Sequence, residues 1–176
     1  SFVTNENGQY KIWIYDISEQ KLKKIQKGGL DLGRIVDHTF PVLAWHPTSK
    51  VLTYFVEKKG ECVINIYSLD DKKTTRRPLL RLNKVLDAQY SDNGKHIILS
   101  AAKNGQTDLF LYKVTGNSQK QLTDDIFDDM HPRFIDNSTR VIFASNRNND
   151  TLPKKGAVEV NRYNTNKDIY ILDLNK

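Results

Sequence analysis

The sequence predicts an all-β fold: β-propeller blades of four antiparallel strands, repeated about three and a half times in 176 residues. Three observations carry this expectation. An aromatic residue, a tight polar turn and an apolar run recur as WHPTSK from Trp45, YSDNGK from Tyr90 and FIDNST from Phe134, spaced 45 and 44 positions apart. A second apolar run follows each first one, so the repeat holds more strands than a hairpin. Helical periodicity is missing, because no segment longer than ten residues keeps a 3.6-residue period. Four strands in roughly 40–50 residues is the signature of a propeller blade. A β-sandwich also turns at short intervals, but the near-constant period favours the propeller.

Each strand of the unit has its own reason. The innermost ends on the aromatic residue. The second is VLTYF (Val51 to Phe55), HIILSAA (His96 to Ala102) or VIFASN (Val141 to Asn146). The third is IWIYDI from Ile12, INIYSL from Ile64, LFLYKV from Leu109 or IYILDL from Ile169, apolar on both faces and therefore covered on both sides. NENGQ, KKGE and KNGQ separate the second and third strands, and their Asn-Gly pairs favour tight hairpins that need positive φ. The fourth is shorter and more polar: KLKKIQ from Lys21, TTRRPLL from Thr74, QKQLT from Gln119. Pro78 fits only an outer edge.

Counting strands gives one domain over 1–176: a blade remnant at 1–29 lacking its innermost strand, blades at 38–83 and 84–128, and a partial blade at 129–176 lacking its outermost strand and interrupted by a loop at 148–167. The chain opens inside a strand (Phe2 to Thr4), which predicts a piece of a longer protein. An incomplete ring of about six to eight blades would be completed by further blades of a longer chain or by a second copy.

Net charge is +6, and the basic clusters Lys21, Lys23 and Lys24, Lys72 and Lys73, and Arg76 and Arg77 recur at the outermost strand. Basic residues there prevent edge-to-edge pairing, so nucleic acid is not an expected partner. No apolar run approaches the roughly 18 residues of a membrane span. The single Cys62 excludes an internal disulfide, and its apolar strand predicts a buried, inert thiol.

Catalytic patterns are missing. There is no Gly-x-Ser-x-Gly, no His-Glu-x-x-His and no Gly-rich phosphate cradle, so no enzyme, metal or cofactor is expected. His46 and His96 read as structural. Asp124, Asp125, Asp128 and Asp129 lack a calcium-loop spacing and read as a plain acidic connector. Asp129, His131 and Arg133 open an inner strand, where a propeller lines its channel, and are candidate binding residues. Asn146 and Arg147 follow a second strand; the first reading is a brace to a loop carboxylate and the second is ligand contact. Lys154, Lys155, Arg162 and Tyr163 make the inserted loop a candidate surface, Arg and Tyr being favoured binding residues.

Phe134 to Arg147 with Asp168 to Leu174, and Tyr90 to Val114 followed by Gln121-Leu122-Thr123, resemble the repeats of TolB-like propellers, also described as WD40-like or PD40. Trp45 to Leu69 fits loosely, with Thr48 and Ser49 in place of Asp-Gly. The resemblance implies a non-enzymatic module of the bacterial periplasm or cell envelope that binds another envelope protein or a peptide. The same repeats form propellers of prolyl-oligopeptidase-like and tricorn-like serine peptidases, so it also implies an alternative: a gating propeller for a catalytic domain outside this chain.

Overall fold

β-Branched and aromatic residues, punctuated by Asn-Gly and Asp-Asn turns, build an all-β molecule in which each sheet is a simple meander. The computed structural model describes residues 1–6, 8–29, 40–58, 61–147 and 167–175. Sheet one has β1 (Phe2–Glu6), β2 (Gln9–Asp16) and β3 (Lys21–Gly29). Sheet two has β4 (Val42–Trp45), β5 (Val51–Lys58), β6 (Glu61–Ser68) and β7 (Thr74–Pro78). Sheet three has β8 (Lys84–Tyr90), β9 (His96–Lys103), β10 (Gln106–Lys113) and β11 (Ser118–Gln121). Sheet four has β12 (Asp129–Ile135), β13 (Arg140–Ser145) and β14 (Asp168–Asp173).

The hairpin registers align the sheets. Glu6↔Gln9 in sheet one corresponds to Lys58↔Glu61 and Lys103↔Gln106, so β1 is a second strand and sheet one has no counterpart of β4 among the described residues. Sheet four likewise shows no outermost strand among them. Asn104 (φ 53°) and Gly105 (φ 84°) are both left-handed, the geometry of a type I′ turn. The inner strands β4, β8 and β12 lie side by side, and the sheets fan outward from them.

Three seams of packed side chains join the sheets. Ile12, Ile14 and Ile25 meet Leu52, Tyr54 and Tyr67 between sheets one and two. Phe55, Cys62 and Ile64 meet Leu99, Phe110 and Tyr112 between sheets two and three. Ile98 and Leu109 meet Val141, Phe143 and Tyr170 between sheets three and four. Each middle sheet is buried on both faces, which is why its strands are apolar without alternation. Cys62 is buried as expected, and burial pushes its thiol up to about 11.

Two details differ from the sequence reading. β3 runs past Gln26 to Gly29, because Tyr10 pairs with Gly28 and lays its ring where a Cβ would stand. Basic residues of the outer strands also tie neighbouring sheets together. Lys23 Nζ donates to the Tyr67 hydroxyl at 2.5 Å, and Arg77 Nη1 donates to the Val114 carbonyl at 2.6 Å, each reaching the next sheet.

Candidate functional site

The inner strands converge on one polar cluster. β12 breaks register between Met130 and Arg133, so the ladder skips His131 and Pro132. His131 takes φ 53°, a left-handed value that costs a non-glycine residue roughly 1–3 kcal/mol. The bulge re-aims its imidazole into solvent, with the side chain 72% exposed. Asp87, on the neighbouring β8, gathers the cluster: its Oδ2 accepts from Arg133 Nη1 at 2.7 Å and lies 3.4 Å from His131 Nδ1. Arg133 Nη1 also donates to the Pro132 carbonyl at 2.7 Å, and Gln89 Oε1 accepts from the Phe134 amide at 2.7 Å. β8 itself shifts register between Val85 and Asp87, so both inner strands are kinked at this level. The result is an axial patch with an exposed imidazole, a half-exposed guanidinium and one carboxylate tying them together.

Arg147 lies elsewhere, fully buried in the seam between sheets three and four. Its Nη2 donates to Asp129 at 2.6 and 2.7 Å and lies 3.2 Å from Asp125 Oδ2. Its Nε donates to Ser145 Oγ at 2.8 Å, and the guanidinium sits over the Phe143 and Tyr170 rings. Nη1 is buried with no hydrogen-bond partner among the described residues. The connector is therefore not plainly solvated: Asp129 and Asp125 are buried around a cation, while Asp128 donates its amide to Asn146 Oδ1 at 2.8 Å. Burial pushes the Asp125 carboxyl up, against the pull of Arg147. Nearby Asp108 accepts from Gln121 Nε2 at 2.9 Å; burial first, then the charges of Asp129 and Asp125, push its carboxyl up to about 7.

Thus the structure brings His131 and Arg133 together and sets Asp129, Asn146 and Arg147 apart as an internal brace. Lys154, Lys155, Arg162 and Tyr163 lie outside the described residues. Sequence reasoning missed Asp87, which holds the axial patch. Its signal was spacing: Asp87 stands 46 positions before Arg133, close to one repeat, and residues one repeat apart meet across neighbouring strands. Among the described residues no cluster of His, Cys, Asp and Glu is placed to hold a metal ion.

His46, expected to be structural, is built into a turn. Its Nδ1 lies 2.9 Å from Thr48 Oγ1 and its ring meets Tyr90 edge-on with centroids 5.0 Å apart. The ring also occupies the space of a side chain at Gly94, whose φ is +69°.

Comparison with solved structures rests on this four-sheet geometry. TolB from Acinetobacter baumannii superposes with a TM-score of 0.62 at 18% identity, covering 93% of this chain and 35% of TolB. The fold is that of a TolB-like β-propeller. The tricorn protease superposes with a TM-score of 0.60 at 18% identity, covering 98% of this chain and 16% of the protease. An uncharacterized protein of Agrobacterium fabrum is 28% identical over 102 residues, 57% of this chain and 34% of that protein. The chain thus spans about a third of the length of that relative and of TolB. No protein-family profile matches it.

Proposed function

We propose that this TolB-like propeller is a non-enzymatic protein- or peptide-binding module whose contact surface is the axial patch of Asp87, His131 and Arg133. The single observation that supports it most is the bulge. A left-handed φ at a non-glycine residue is unfavourable, and here it turns an imidazole out of the ladder beside a cation. Such outliers cluster at ligand clamps. A guanidinium has five N–H donors; Asp87 and the Pro132 carbonyl engage Nη1, leaving others for a peptide carbonyl or carboxylate. The rigid sheets behind the patch lower the ordering cost of binding. By the same resemblance, we place the module in the cell envelope with an envelope protein or peptide as partner.

A second reading is favoured by the tricorn likeness: a propeller that gates a peptidase domain lying outside this chain. It differs in what flanks the propeller, since it requires a Gly-x-Ser-x-Gly-bearing segment there.

The test is selection of peptides from a displayed random library on this chain. Peptides so obtained should lose about tenfold or more in affinity on the His131→Ala/Arg133→Ala variant, the scale of hot-spot losses. Equal binding to the variant would place the contact surface elsewhere. Hydrolysis of a fluorogenic peptide set by this chain would contradict the non-enzymatic reading.

A further inference from the structure

Sheets two and three enclose a cleft of about 470 Å³ at their hairpin ends. Ligand clefts usually measure roughly 300–1,000 Å³. One wall is the start of β6 at Glu61, the other is the β9–β10 turn at Lys103 and Asn104, and the floor is the connector 79–83. Both walls belong to four-stranded sheets already packed on each other, so this is not a face that waits for another sheet. The connector is short. It has five residues, whereas the connector 122–128 between sheets three and four has seven and buries Phe127.

The cleft is held in shape from both sides. Leu79 and Leu82 are buried and anchor the connector. The Leu79 amide donates to the Cys62 carbonyl and the Asn83 amide to the Ala102 carbonyl, each at 2.8 Å, which ties the floor to both walls. The Asn104 amide donates to Asn83 Oδ1 at 2.9 Å, and Gln119 Nε2 donates to the Leu80 carbonyl at 2.5 Å. Between these anchors the turn lifts Leu80, 68% exposed, and the exposed Arg81, whose φ of 61° costs free energy at a non-glycine residue. Three chemistries meet here. Leu80 supplies an apolar rim. The amide side chains of Asn83 and Asn104 carry the donors and acceptors that a peptide backbone pairs with. Arg81 has no carboxylate partner among the described residues, and Lys103 Nζ donates to a neutral amide, Gln121 Oε1, at 2.6 Å. Two cations against the single carboxylate of Glu61 leave the lining with positive charge in excess.

We propose that this cleft is a second binding site, separate from the axial patch, for a short acidic peptide segment of a partner protein. An aliphatic side chain of the segment packs on Leu80, and a neighbouring carboxylate is held by Arg81 and Lys103. Guanidinium–carboxylate pairs are the strong charge-assisted kind. None of Asp87, His131 and Arg133 lines the cleft, so the two sites can be separated by mutation. Because Arg81 is exposed, its attraction is screened by salt, and affinity falls as ionic strength rises.

The test is an array of short peptides in which leucine is interspersed with aspartate and glutamate, set beside the same array with lysine in place of every acid. This chain should bind members of the acidic array and none of the lysine array. Arg81→Glu should weaken that binding about tenfold or more, and Leu80→Ser, which leaves the charge in place, by about tenfold. Both side chains are exposed, so the circular-dichroism spectrum and the urea midpoint should not move. His131→Ala/Arg133→Ala should leave the affinity for the acidic peptides unchanged, which separates this site from the axial one. Absence of binding, or equal binding of the two arrays, would overturn the proposal. So would acidic peptides lost on His131→Ala/Arg133→Ala but kept by Arg81→Glu and Leu80→Ser, because they would then sit at the axial patch.

Discussion

Two neighbouring seams each hold an apolar cluster, but one set of equivalent positions in them carries opposite chemistry. Between sheets two and three, Val85 and Ala101 pack with Phe55, Cys62 and Leu82 in an apolar cluster, and the Tyr90 hydroxyl of that cluster hydrogen-bonds Thr53 Oγ1 at 2.6 Å. Between sheets three and four the equivalent positions are Asp129 and Ser145, and Arg147 stands where sheet three has Lys103. Lys103 reaches out to Gln121 Oε1 at 2.6 Å, whereas Arg147 is drawn inside by two carboxylates and two rings. One backbone geometry thus accepts either hydrophobic packing or a compensated buried charge. The two differ in what a single change does. An apolar seam loses contacts in proportion to the atoms removed; a charged seam loses its compensation at once.

Removing Arg147 should have the largest effect. Arg147→Met leaves Asp125 and Asp129 buried without their cation, a loss of about 3–5 kcal/mol, read from urea unfolding. In the apolar seam, Leu99→Ala should cost about 2–5 kcal/mol with little pH dependence; a steep pH dependence would break the contrast. Gly94→Ala should cost about 1–3 kcal/mol, because φ +69° is strained for alanine and the His46 ring fills the space. His46→Ala in the same chain should recover part of that loss.

The pH dependence is the most diagnostic of the charged side. Asp108 is raised from 3.8 to about 7, so its protonated form is favoured in the fold. That contribution is fully present below about pH 4 and is lost as pH rises through about 7. Asp108→Asn, which cannot ionise, should flatten the fall in urea midpoint between those limits. An unchanged slope would mean that Asp108 ionises in the fold as it does unfolded.

The repeat made the fold legible. Aromatic–turn–strand spacing located Trp45, Tyr90 and Phe134 at the ends of inner strands, and Pro78 marked an outer edge, because both signals are local in the chain. The brace was half legible. Ser145-Asn146-Arg147 stood out, but its carboxylates lie 18 and 22 positions away, and nothing in their spacing distinguishes a buried Asp129 from a solvated one. Asp87 was legible only through the repeat spacing that sets it 46 positions before Arg133, because its role arises between strands of different sheets. The bulge at His131 was hidden, since a histidine-proline pair does not announce a left-handed φ.

The most direct test of the account is a double-mutant cycle on Arg147→Met and Asp129→Val, followed by urea unfolding at pH 7. The expected result is that each single variant is strongly destabilised and that the double variant loses about 1–3 kcal/mol less than their sum. Strictly additive losses would contradict the account, because Arg147 and Asp129 would then contribute to the seam independently.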